Sequence, residues 1–177
     1  GIVDSEERND AVVFEVKRAI QYGLTAMVLV QHKKHGDTVV DRLAAEGLRA
    51  EFIQGADDQA ERKRALRKLA SGEIDVLVGT TILDVGVDVP AVGMIVLAGG
   101  GKAEVALRQR IGRGLRAKKI GPNVALIVDF DDPHNNYLKT HALQRLQIIK
   151  DTEGFGENIV GHDFDYEALG LGLSKAA

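Results

Sequence analysis

Hydrophobic positions change period along this chain, and each change marks an element. From 8 to 22, Val12, Val13, Val16, Ala19 and Ile20 recur at helical spacing, which predicts an amphipathic helix stopped by Gly23. "AMVLVQ" (26–31) replaces that period with a continuous apolar run, the pattern of a strand covered on both faces. The alternation then repeats. "DTVVDRLAAEG" (37–47) reads as a helix ending on Gly47, and "AEFI" (50–53) as a strand. "QAERKRALRKLASG" (59–72) reads as a helix with Ala65, Leu66 and Leu69 inward and a basic face outward. "IDVLVG" (74–79), "VGMIVLA" (92–98) and "NVALIVDF" (123–130) supply three further strands. Helices are expected over about 102–111 and from Pro133 to Lys150, the second entered through "DFDDPH" with Asp132 as N-cap and Pro133 in the first turn.

Strand and helix in alternation imply crossover connections, hence a mostly parallel sheet with helices on both faces. Ligands of such sheets bind outside the carboxyl ends of the strands. That rule singles out "QHKKHG" (31–36), "TTILDVGVDVP" (80–90) and the entry to 99–116 as loops of interest. Residues 1–150 are expected to form the domain proper. Residues 151–177, with five glycines and weak periodicity, are expected as a loosely structured or packed extension.

Composition changes this picture in one respect. The formal charge of −3 conceals a basic segment and an acidic tail. Lys102 to Lys119 holds seven basic residues against Glu104 alone, whereas 151–177 holds six acids and one base, Lys175. The absence of cysteine excludes disulfides and thiolate metal sites. No apolar run reaches the ~18 residues of a membrane span, and no signal-peptide core opens the chain, so no membrane association is expected. The chain opens at Gly1 and is read as a piece of a longer protein.

Within the basic segment, Arg110, Arg113 and Arg116 recur every three residues with Gly112 and Gly114 between them. Like charges at that spacing repel on a helix, and each glycine costs about 1 kcal/mol against alanine. Guanidinium groups fork onto phosphate oxygens, so an anion makes the cluster favourable. "TTILDVGVDVP" suits the same chemistry. Thr80 and Thr81 present hydroxyls and N–H groups where a strand turns, Gly86 permits close backbone approach, and Asp88 can accept from ribose hydroxyls. The glycine run in "AGGGKAEV" (98–105) does not make a phosphate loop, because Val96 stands where its first glycine belongs and Ala103 where its hydroxyl belongs. It is read as a turn. No metal site is expected. His32 and His35 sit beside Lys33 and Lys34, and His134 and His141, seven apart, are explained by packing near the capping acids Asp131 and Asp132.

Four of these segments, in order, resemble a known family. "QRIGRGLR" (109–116), about thirty residues after "TTILDVGVDVP", looks like motif VI following motif V of superfamily 2 helicases. "AMVLVQHKKHGDTVVDRL" (26–43) is similar to motif IV and its helix. "IQGADDQAER" (53–62) resembles the motif that follows motif IV, with Gln54 where many members have histidine. The likeness covers roughly residues 20–135 and is closer to the UvsW- and XPB-like branch.

The resemblance implies a three-layer RecA-like domain, the C-terminal half of a DNA-dependent motor, with RNA left open as the strand. It implies ATP and Mg²⁺ held mainly by an N-terminal RecA-like partner domain. Arg113 and Arg116 fall at arginine-finger positions, Gln109 at a nucleotide-proximal position, and Gly86 and Asp88 where motif V meets the ribose. Thr80, the Gln31–His32 turn, Gln59 and Arg62 match nucleic-acid contacts, and Arg110 a structural or interdomain position. The domain alone is expected to be inactive as an ATPase. A duplex translocase of a restriction or remodelling complex and a non-enzymatic nucleotide- or anion-binding module are the rival readings. The cytoplasm, or the host cytoplasm for a phage-encoded chain, is the expected location.

Overall fold

The computed structural model describes residues 6–54, 59–80, 93–99, 124–130, 144–150 and 158–160. In chain order these form α1 (Glu6–Gln21), β1 (Ala26–Val30), α2 (Lys33–Ala45), β2 (Ala50–Ile53), α3 (Gln59–Ser71) and β3 (Val76–Thr80). β4 (Met94–Leu97), β5 (Val124–Phe130), β6 (Gln144–Lys150) and β7 (Asn158–Val160) follow. All strands join one sheet in the order β2-β3-β1-β4-β5-β6-β7. The first five run parallel, and β6 and β7 are antiparallel additions. This is the RecA-like α/β arrangement expected from the alternation.

The continuous apolar runs explain why β1, β3 and β4 take the middle of the sheet, where every one of their residues is buried. Alternate side chains then serve two cores. Ala26, Val28 and Val30 pack with Val76, Val78 and Val96 beneath Val12, Val16 and Ala19 of α1 and Val39 and Leu43 of α2. Met27, Leu29, Leu77, Ile95 and Leu97 face the other way, against Ala65 and Leu69 of α3. Three layers result.

α1 and α2 end in the same turn. Gly23 and Gly47 take φ values of +83° and +81°, which a side chain disfavours, and the following Leu24 and Leu48 N–H groups bond back to Ala19 and Leu43 carbonyls at 3.0 Å. Gly36 matters for space instead. A Cβ there would lie 1.4 Å from the Phe52 ring, so its absence lets α2 approach β2 closely.

Two expectations need correction. α2 begins at Lys33, four residues before the expected Asp37, so most of "QHKKHG" is helix rather than loop. The physical reason is His35, fully buried with its Nε2 2.9 Å from Asn9 Oδ1 of α1. A hydrogen-bonded imidazole begins the inward stripe that Val39 and Leu43 continue, and an apolar count passes over it. The second concerns the helix expected to end at Lys150. Residues 144–150 instead form β6, paired over its full length with β5 from Val124↔Lys150 to Phe130↔Gln144. "QRLQIIK" is short enough to satisfy both periods, and seven ladder pairs decide it. β7, inside the expected extension, pairs with β6 through Ile159↔Gln147.

Candidate nucleic-acid interface

The parallel strands all deliver their carboxyl ends to one rim. Register sets which groups meet there. Val30 is abreast of Thr80, Ile53 of Gly79, and Leu29 of Leu97, with the Ala98 N–H bonded to Leu29 O at 2.9 Å. Gln31 therefore leaves β1 beside the end of β3, and Gly99 leaves β4 on its other side. The sheet order also reverses here: from β1 the chain moves outward to β2 and β3, then crosses to β4 on the opposite side. A crevice at such a reversal is where ligands of open α/β sheets bind.

The start of α2 lies at this rim. His32 is its N-cap, extended at φ −130° and ψ 148°, and its side chain makes no capping bond. The first turn contains no acid and carries exposed Lys33 and Lys34. Unsatisfied N–H groups and the positive end of the helix dipole favour an anion in that place, and two lysines reinforce it.

Thr80 supplies the least expected group. It is 7% exposed, and among the described residues its hydroxyl has no hydrogen-bond partner. A buried hydroxyl without a partner costs of order 1–3 kcal/mol, so such groups are rare and call for a reason. On the helix side of this rim, His35 Nε2 and Asn9 Oδ1 bond each other.

The sequence-derived residues thus divide. Gln31, His32 and Thr80 come together at the ends of adjacent strands β1 and β3. Gln59 and Arg62 occupy the first turn of α3, which follows the carboxyl end of β2 on the opposite face of the sheet. Gln59 is exposed and Arg62 half-buried. Gly86, Asp88, Gln109, Arg113 and Arg116 lie outside the described residues, as do Thr81 and Arg110. Lys33 and Lys34 were not counted as site residues in the sequence. Their signal was there, a helix start with two cations and no acid, but it needs the helix boundary to be seen. Among the described residues no group of three or more His, Asp or Glu gathers as a metal site.

At the opposite end of the sheet, charge is neutralised. Arg49, just before β2, gives Asp75, just before β3, a side-chain bond at 3.0 Å and a backbone N–H bond at 3.0 Å. Burial pushes the Asp75 carboxyl up, but the Arg49 hydrogen bonds outweigh it and hold the group below the usual carboxylate range. Lys17 of α1 meets Glu46 at 2.9 Å. Away from that end, Arg42 of α2 reaches Asp10 at 2.5 Å and also pairs with Glu6, in the first turns of α1.

A RecA-like domain with an anion-seeking carboxyl rim is the class that fold and site define. The chain belongs to the helicase conserved C-terminal domain family, which matches residues 9–118. Among curated relatives, the UvrABC system protein B of Kosmotoga olearia is 33% identical over 141 residues, covering 73% of this chain and 21% of that protein. The pre-mRNA-splicing ATP-dependent RNA helicase PRP28 of Yarrowia lipolytica is 27% identical over 164 residues, covering 84% of this chain and 28% of that protein. The chain therefore spans about a fifth to just over a quarter of these relatives. In fold it is similar to the C-terminal domain of the DEAD-box protein Dbp5, with a TM-score of 0.57 at 21% identity, covering 75% of this chain and 74% of that domain. The superfamily 2 helicase C-terminal domain inferred from motifs is thus shown, as is its RecA-like fold.

Proposed function

We propose that this chain is the second motor domain of an ATP-dependent superfamily 2 helicase or translocase acting on DNA. The observation that carries the reading is the buried hydroxyl of Thr80, without a partner among the described residues and set at the carboxyl end of β3 beside the Gln31–His32 turn. A strand's phosphate oxygens accept hydrogen bonds and carry charge. In this reading Thr80 donates its O–H to one such oxygen, and the Gln31–His32 turn and the α2 start donate N–H groups to the next. Lys33 and Lys34 add charge, while Gln59 and Arg62 meet the strand across the rim. These contacts hold the backbone and read no sequence.

Bound ATP with Mg²⁺, held mainly by a first RecA-like domain, supplies the free energy of phosphoryl transfer. Within this chain, Arg113 and Arg116 are proposed to neutralise charge on the γ-phosphate, with Gln109, Gly86 and Asp88 against the nucleotide. Alone, the chain should turn over no ATP.

The test is strand binding by a parent protein that contains both domains, read by fluorescence anisotropy at low salt. Thr80→Val should weaken DNA binding about tenfold or more, the worth of a hydrogen bond to a charged group. Unaltered affinity would refute the assigned edge. The same titration with RNA sets the preference between strands, and strand displacement by the parent separates a helicase from a duplex translocase.

A further inference from the structure

α3 carries five cations, Arg62, Lys63, Arg64, Arg67 and Lys68, and the structure divides them. Lys68 donates to Glu51 of β2 at 2.9 Å, and Arg64 lies 3.5 Å from Glu61. Both line the cleft between α3 and β2, beside Phe52 and Ala65. That flank is neutralised.

Lys63 and Arg67 lie about 100° further round the helix from Arg64 and Lys68. Both are exposed, and among the described residues neither side chain has an ion-pair or hydrogen-bond partner. At i and i+4 their side chains are neighbours about 5–6 Å apart, where like charges repel. Among the described helices α1 to α3, the other cations in this condition are Lys33 and Lys34, at the rim. These four cations form two pairs, both on helices that start at the carboxyl ends of strands.

The α3 pair continues the candidate interface. Gln59 and Arg62 occupy the first turn of α3, and Lys63 and Arg67 carry positive charge from that turn along the flank facing away from β2. α3 has no aromatic residue, so bases cannot stack on it and the surface offers charge alone.

We propose that Lys63 and Arg67 extend the nucleic-acid interface over α3, each neutralising a backbone phosphate of a strand that leaves the rim, independently of sequence. The proposal rests on the reading of the chain as a strand-binding motor domain.

Binding of a fluorescein-labelled oligothymidylate to the 177-residue chain, followed over about 50–200 mM salt, tests it. Lys63→Gln combined with Arg67→Gln should reduce the slope of log affinity against log salt by about 1.4, two phosphate contacts at about 0.7 each. The loss should be equal for oligothymidylate and oligoadenylate. Swapping the cations, Lys63→Arg with Arg67→Lys, should keep the slope, and so should Lys17→Gln at the neutralised end. An unchanged slope in the double glutamine variant, with Thr80→Val still weakening binding, overturns the proposal and leaves the motor reading standing. No binding by the unaltered chain at low salt overturns both. Loss of polyglutamate binding in the double variant, with the DNA slope unchanged, would make an acidic peptide the occupant and reject the strand.

Discussion

The two ends of the sheet obey opposite rules. At the amino ends of the strands, Arg49 meets Asp75 and Lys17 meets Glu46, so these cations have partners within the chain. At the carboxyl ends, among the described residues, Lys33 and Lys34 stand without acids and the buried Thr80 hydroxyl is unbonded. Both ends are made of loops and helix termini, and both hold charge. What separates them is satisfaction. At the amino end cations meet acids, while among the described residues the carboxyl end carries donors without acceptors. Exposed ion pairs stabilise little, so neutralising the amino end contributes less to stability than it does to removing competing sites for an anion.

The largest test of this contrast falls on the arginines. In a parent with both motor domains, the proposed finger role of Arg113 predicts that Arg113→Ala cuts ATP turnover about a thousandfold while nucleotide affinity is largely kept. Turnover at the unaltered rate would leave the ligand end without its catalytic claim. Next comes packing that seats the rim. Gly36→Ala places a methyl against the Phe52 ring and should destabilise the fold by about 1–3 kcal/mol, the usual range for overpacking. Urea unfolding measures it, and Phe52→Leu in the same chain should recover part of the loss.

Thr80→Val should move stability the other way. Removing a buried hydroxyl that has no partner should be neutral or stabilising by about 1 kcal/mol, even as strand binding weakens. A clear loss of stability would mean that the hydroxyl is already satisfied in the folded chain. The smallest effect belongs to the amino end. Asp75 has a depressed folded pKa, so its contribution is present above the unfolded value near 4 and is lost as pH falls through the lower folded value. Asp75→Asn should therefore be mildly destabilised at pH 7, and the difference should close in acid. A gap that stays constant from pH 7 to about pH 2 would show that packing, not charge, holds that corner.

Most strands were legible in the sequence because a strand covered on both faces must be apolar throughout, as 26–30 is, whereas 50–53, at the sheet edge and with Glu51, is only partly buried. Helix ends were legible at Gly23 and Gly47, where the backbone needs positive φ. Legibility failed where a polar residue took a core role. His35 is buried through a bond to Asn9, twenty-six positions away, and nothing local marks that partnership. It failed again at 144–150, where a seven-residue pattern fits two periods and pairing with β5 chose between them.

The candidate site shows the same division. Thr80, Gln31 and His32 could be named from motifs, yet the reason to suspect Thr80 on physical grounds is its unmet hydroxyl, a property of the fold. The chain's own order of apolar runs, glycine stops and motif spacing determined a parallel α/β domain of the helicase C-terminal family. Tertiary structure alone decided which cations are neutralised and which are left free. Periodicity is local and is written in consecutive residues, whereas satisfaction of a charge or a hydroxyl depends on groups that only the folded sheet brings within reach.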